Sequence, residues 1–207
     1  MKRLILGGTF NPIHMGHLMM SEYIREELGF EDVLFIPTGN PPHKTYGVLD
    51  AEERLEMVRL ATEDNPHFSV SDIEVRREGL TYSVDTIRAL EDLFPEDEFH
   101  FLIGSDILLD LKDWRKISEL AASIPFILAV RPGFDALTRE RMTEEITMLK
   151  ERHNLRITVV PTPRYEISST DLRARLRESR SVRYLIPDVV AEYIESHGLY
   201  RENQPWT

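Results

Sequence analysis

Short apolar runs alternate along this chain with segments whose apolar positions recur every three or four residues. Residues 4–6 form a buried-strand run that stops at Gly7 and Gly8, where the backbone can turn tightly and lie close to a ligand. Pro12 breaks regular structure, and from Met15 the positions Met15, Leu18, Met19, Tyr23 and Ile24 follow helical spacing, ending near Leu28 and Gly29. Residues 33–36 read as a second buried strand closed by Pro37, and 38–47 as a loop rich in proline and glycine. Asp50 with Glu52 and Glu53 has the form of a cap and acidic first turn, opening a helix through Leu55, Val58 and Leu60. Residues 68–75 alternate like a strand with one wet face, 76–79 form a turn, and 81–93 predict a helix burying Val84, Ile87, Leu90 and Leu93. Strands are predicted at 99–103, 126–130 and 155–160, with a helix at 136–151 between the last two. From Ser169 the chain reads as helical, with an amphipathic segment at 187–197 and a loose tail at 201–207.

Strands alternating with helices predict an α/β fold: a Rossmann-like, doubly wound, mainly parallel sheet with a helical C-terminal extension. Residues 1–207 read as a single domain whose helical C-terminal part spans about 169–200, since no repeat, low-complexity segment or linker-like composition shift interrupts them. That extension can complete the core or form an interface, which leaves a homo-oligomer open. The expected ligand crevice lies beyond the carboxyl ends of the strands, where four candidate segments, after Leu6, Ile36, Ile103 and Val160, all fall.

Charge narrows the partners. With 25 basic against 36 acidic residues the net charge is −11, which argues against broad nucleic-acid binding and requires any anionic substrate to meet a local basic cluster. No run approaches the length of a membrane span, and the apolar part of the N-terminus is too short for a secretory signal, so a cytoplasmic protein that contacts no membrane is expected. Zero cysteines exclude disulfides, thiolate metal sites and cysteine nucleophiles.

The strand, glycine turn and helix start over residues 4–18 suit a polyphosphate, because helix N-terminal amides and the positive end of the helix dipole face an anion. His14 and His17 sit three residues apart at that end, and Gly16 removes a side chain between them. No Walker lysine and no G-x-G-x-x-G is present, which excludes a P-loop and a dinucleotide fingerprint. A second helix start, Ser168, Ser169 and Thr170, carries three hydroxyls, and Arg173 adds a planar fork able to grip phosphate oxygens in pairs. Other readings stay open at this point. The histidines can be a surface pair or metal ligands, the serines an ordinary cap beside a solvated arginine, and Trp114 a packing residue rather than a stacking face.

The segment from Gly7 through Gly8, Thr9, Phe10, Asn11 and Pro12 to His14, Gly16 and His17 resembles the (T/H)xGH motif of the nucleotidylyltransferase superfamily, and Ile167 to Arg173 resembles its ISSTxxR partner. Between them Ile36-Pro37, Pro41-Pro42-His43-Lys44, Thr81-Tyr82-Ser83-Val84-Asp85-Thr86, and Gly104-Ser105-Asp106 followed by Trp114 resemble the bacterial nicotinate-nucleotide adenylyltransferases in particular. Asn11 stands where aspartate is frequent in that family, and Ser83 where threonine is; neither change removes a phosphate contact.

The resemblance implies adenylyl transfer from ATP to nicotinate mononucleotide without a covalent enzyme intermediate. His14, His17, Lys44 and Arg173 would carry the chemistry. Gly7, Gly8, Thr9, Phe10, Gly16, Gly104, Asp106, Ile167, Ser168, Ser169 and Thr170 would complete the ATP site, with the Thr9 hydroxyl or amide at the α-phosphate. Asn11, Lys44, Thr81, Tyr82, Ser83, Asp85 and Trp114 would hold the mononucleotide. A Mg²⁺ cofactor is expected to be held mainly by ATP phosphates and water rather than by a protein metal site.

Overall fold

A computed structural model describes residues 1–40, 47–130 and 136–201. Six strands, β1 (Lys2–Gly8), β2 (Asp32–Pro37), β3 (Phe68–Val70), β4 (Glu98–Gly104), β5 (Phe126–Val130) and β6 (Ile157–Pro161), form one all-parallel sheet in the order β3-β2-β1-β4-β5-β6. The helices are α1 (Met15–Leu28), α2 (Ala51–Thr62), α3 (Ser83–Leu93), α4 (Ile117–Ser123), α5 (Ala136–His153), α6 (Ser169–Arg177) and α7 (Asp188–Ser196).

The period-two side-chain alternation of β1 divides the core into two layers. Leu4 and Leu6 pack on one face with Ile24, Val58, Leu172, Val190 and Ile194, from α1, α2, α6 and α7. Ile5 packs on the other with Val84, Ile87, Leu120 and Leu149, from α3, α4 and α5. Helices thus cover both faces, as a parallel sheet requires.

The strand order reverses between β1 and β4, and the two strands part there. Their ladder ends at Ile5 opposite Phe101, whereas β1 stays paired with β2 as far as Gly8 opposite Pro37, and β4 with β5 as far as Gly104 opposite Ala129. The carboxyl ends of β1 and β4 are therefore separate lips of one crevice, at the topological position where open α/β sheets bind ligands.

Several elements differ from the sequence-based expectation. The strand predicted over 68–75 keeps only Phe68–Val70. After the Ser71 amide bonds the Phe35 carbonyl (2.9 Å), the chain coils into a turn that buries Glu74 and lets its carboxylate accept from Thr86 Oγ1 at 2.7 Å. Leu93 is 63% exposed because α3 ends there, with the Phe94 amide returning to the Leu90 carbonyl, and its last turn overhangs the core. Residues 178–187 are not helical; the segment holds its Leu185 carbonyl against the Met15 amide at 2.9 Å. Helix α4 and the short 3₁₀ turn Leu111–Asp113 were not anticipated at all. Most of the predicted tail, 202–207, lies outside the described residues. Among the described residues no helix is long and apolar enough to cross a membrane.

Candidate active site

His14 caps α1 in extended conformation (φ −149°, ψ 168°) and is 5% exposed. Its ring lies parallel to that of His17, centroids 3.6 Å apart, while the Phe10 ring meets His17 edge-on at 5.1 Å. The His14 backbone N–H donates to His17 Nδ1 at 3.3 Å. A nitrogen that accepts carries no proton, so in the neutral ring the proton of His17 sits on Nε2, which makes that atom the donor. Gly16 is required by close approach: a Cβ there would lie 3.0 Å from His14 Nδ1 and 3.6 Å from Ile167 Cβ. One expectation is narrowed. The first amide of α1, that of Met15, is bound to Leu185, so the helix terminus offers fewer amides to an anion than the motif alone suggested.

The second motif folds directly onto the first. Ser169 Oγ donates to the Pro12 carbonyl at 2.9 Å, and Arg173 Nη1 donates to the Asn11 carbonyl at 2.8 Å. Residues more than 150 apart in sequence thereby share one wall. Ser168 Oγ caps α6 by accepting from the Asp171 amide (3.1 Å), and Thr170 Oγ1 accepts from Arg173 Nη2 (3.2 Å). As acceptors, both hydroxyls keep a proton to donate, whereas the Ser169 proton is committed to Pro12. Burial pulls the Arg173 pKa down from its ordinary value. Arg175 pairs with Asp171 on the outer helix face, as an ordinary solvated arginine would.

Asn11, expected at the mononucleotide, is buried, and its side chain serves the protein. Nδ2 donates to the Gly47 carbonyl at 2.8 Å, and Oδ1 accepts from the Leu49 amide (3.3 Å) and the Tyr200 hydroxyl (2.8 Å). An aspartate here would set an oxygen against the Gly47 carbonyl, which explains the amide. His43 and Lys44 lie outside the described residues.

On the other lip, Thr81 is buried and its amide donates to the Asn40 carbonyl at 3.1 Å. Tyr82 caps α3 beneath the Arg115 guanidinium, 4.4 Å from its ring centroid. Ser83 opens α3, and Asp85 in its first turn pairs with Arg88 at 3.7 Å. Trp114 is half-buried, edge-on to Phe101 at 5.7 Å, and Phe101 in turn borders Gly7, where a Cβ would meet Cζ at 3.4 Å. Gly104 ends β4 and Asp106 beyond it is exposed. Trp114 is thus both a packing residue and a face near the glycine turn.

Three residues essential to this geometry went unread in the sequence: Arg54, Glu74 and Tyr200. Arg54, 1% exposed, donates from Nε to Leu49 O (3.0 Å), from Nη1 to Thr9 O (2.8 Å) and from Nη2 to Gly39 O (3.0 Å). Gly39 must be glycine because a Cβ would collide with the Glu74 carbonyl oxygen. Burial raises the Glu74 pKa and also raises that of the Tyr200 hydroxyl. Among the described residues no group of three or more His, Cys, Asp or Glu side chains is placed to hold a metal ion.

The cytidylyltransferase-like family profile matches residues 5–175, which include both wall-forming motifs. A relative from Desulfitobacterium hafniense strain Y51, named a probable nicotinate-nucleotide adenylyltransferase, is 43% identical over 95% of this chain and 94% of its own. The chain belongs to the cytidylyltransferase-like family, in its nicotinate-nucleotide adenylyltransferase branch. A Moorella thermoacetica member of the same name is also 43% identical, over 95% of this chain and 90% of its own. The fold of the branch extends to the Plasmodium falciparum nicotinic acid mononucleotide adenylyltransferase solved with NaAD, which superposes with a TM-score of 0.77 at 20% identity, covering 96% of this chain and 97% of that one.

Proposed function

We propose that this protein transfers the adenylyl group of ATP to nicotinate mononucleotide, forming nicotinate adenine dinucleotide and pyrophosphate on the route to NAD. The observation that carries the reading is the meeting of the 9–17 and 167–173 segments at the parted ends of β1 and β4, in a chain akin to adenylyltransferases over nearly its whole length.

A 5′-phosphate oxygen of the mononucleotide attacks the α-phosphorus of ATP in line, and the bond to the bridging oxygen breaks, its electron pair leaving with pyrophosphate. The attacking phosphate is already ionised at neutral pH, so no general base is needed. The protein contributes alignment and charge stabilisation. His17 Nε2–H donates to a phosphate oxygen as charge develops, and the packed His14 ring and Phe10 edge keep that imidazole from turning. Thr9 lines the α-phosphate, while Arg173 with the Ser168 and Thr170 hydroxyls receives the outer phosphates. By resemblance Lys44 joins them. A Mg²⁺ ion held through the triphosphate and water would supply neutralisation of the leaving group. Trp114, Tyr82 and Thr81 form the nicotinate side. An ATP-consuming reaction of this kind belongs in the cytoplasm.

The test is pyrophosphate release with ATP and three acceptors: nicotinate mononucleotide, nicotinamide mononucleotide and phosphopantetheine. Fastest turnover with the first is the expected result. Preference for either alternative overturns the substrate assignment, and ATP binding without release for every acceptor overturns the enzyme.

A further inference from the structure

Arg54 is a buried cation that, among the described residues, makes three hydrogen bonds, all to backbone carbonyls and none to a carboxylate. Desolvation lowers its pKa, with Tyr200, Asp50 and Glu74 the nearby groups that counter it. A desolvated charge held this way is expensive, and apolar replacements of buried charges are often neutral or stabilising, so fold stability alone does not account for a guanidinium here. Its geometry does. The fork joins three segments that otherwise run separately: Thr9 after β1, Gly39 after β2 and Leu49 before α2.

In a planar trans peptide the N–H points opposite the C=O, so a Thr9 carbonyl drawn inward turns the Phe10 N–H the other way. Ser169 draws in the Pro12 carbonyl, which turns the Ile13 N–H likewise. With the Asn11 carbonyl also held by Arg173, the turn has its negative edge against the protein. Pro12 has no N–H, so these amides are not consecutive, but each N–H turned away from the protein adds partial positive charge where an anion can meet it. Ser169 and Arg173 belong to a motif already tied to phosphates; Arg54 comes from another helix and acts from behind.

We infer that Arg54 is a positioning residue for the proposed transfer, fixing through the Thr9 carbonyl the direction in which the glycine turn presents its amide edge to the triphosphate. The inference rests on the adenylyl-transfer reading. Steady-state kinetics of R54K and R54Q with ATP and nicotinate mononucleotide, alongside circular dichroism and thermal melts of the same samples, test it. Lysine keeps the charge but reaches one carbonyl; glutamine removes the buried charge, keeps an amide donor and is the variant best able to fold. KM for ATP should rise roughly fivefold or more and kcat per folded molecule fall about tenfold or more, with a smaller change in KM for the acceptor. A residue that merely stabilised the fold would lower the melting temperature and the folded fraction alone. Both KM values and kcat per folded molecule within about twofold of wild type, in either folded variant, overturn the inference. Wild-type turnover in the same assay reports separately on the adenylyl-transfer reading.

Discussion

The two lips of the crevice are built differently. On the β1 side four hydrogen bonds from distant segments pin the candidate wall: Ser169 to Pro12, Arg173 to Asn11, Arg54 to Thr9, Tyr200 to Asn11. On the β4 side, apart from the Thr81 amide on the Asn40 carbonyl, the candidates stand on helix starts and short turns, held by ring contacts and ion pairs such as Trp114 on Phe101, Arg115 over Tyr82 and Asp85 with Arg88. The difference fits the division of labour that the proposed transfer requires. Charge stabilisation requires groups that do not reorganise when charge appears, which suits the side held by distant bonds to the phosphate role proposed for it. Recognition of a flat ring relies on surfaces and tolerates a softer mounting.

Substitutions on the two sides should therefore fail in different ways. The largest loss is expected for H17A, about 10²-fold or more in kcat with modest change in substrate affinity, because a donor made for the transition state disappears; a pyrophosphate-release assay measures it, and unchanged turnover would refute the role. R173A follows, with kcat/KM falling roughly 30-fold, the equivalent of about 2 kcal/mol for a charge-assisted contact, and R173K recovering only part of it. W114A should sharpen the contrast: KM for nicotinate mononucleotide rises about fivefold while kcat stays within roughly twofold, as loss of about 1 kcal/mol of ring contact predicts. A fall in kcat with unchanged KM would instead put Trp114 on the catalytic side.

The smallest effect concerns the buried Glu74, which accepts from Thr86 where the turn meets α3. Burial raises its folded-state pKa above the ordinary carboxylate value, so the folded protein holds this proton to higher pH than the unfolded chain. The associated stability is complete below the ordinary carboxylate range and is lost as pH rises through the raised value. E74Q cannot ionise and keeps an oxygen for Thr86, so its melting temperature relative to wild type should increase from acid to neutral pH. A difference that stays constant across that range would contradict the assignment.

Much of the sheet was legible because parallel strands buried on both faces read as continuous apolar runs: all six residues of β2 are buried, and β5 coincides with its predicted span. The meeting of the two motifs was legible because each follows a strand, and parallel strands deliver all such segments to one edge. Arg54 was not, since an arginine between glutamates on an amphipathic helix reads as solvated face, and its burial depends on carbonyls supplied by remote turns. Tyr200 hid for a related reason: its partner is 189 residues away. Helix α4 escaped because seven residues give too few periods to stand out, and its start follows Lys116 in left-handed conformation, which no local residue preference announces.

The span between Asn11 and Tyr200 also orders events during biosynthesis. The glycine turn and histidines are translated early relative to their support, for the hydroxyl that completes the hydrogen bonding of Asn11 follows 189 residues later. At about 5–20 residues per second, that is a lag of roughly ten to forty seconds. Throughout that lag the nascent chain carries the turn without the Tyr200 hydroxyl that Asn11 accepts from in the folded protein.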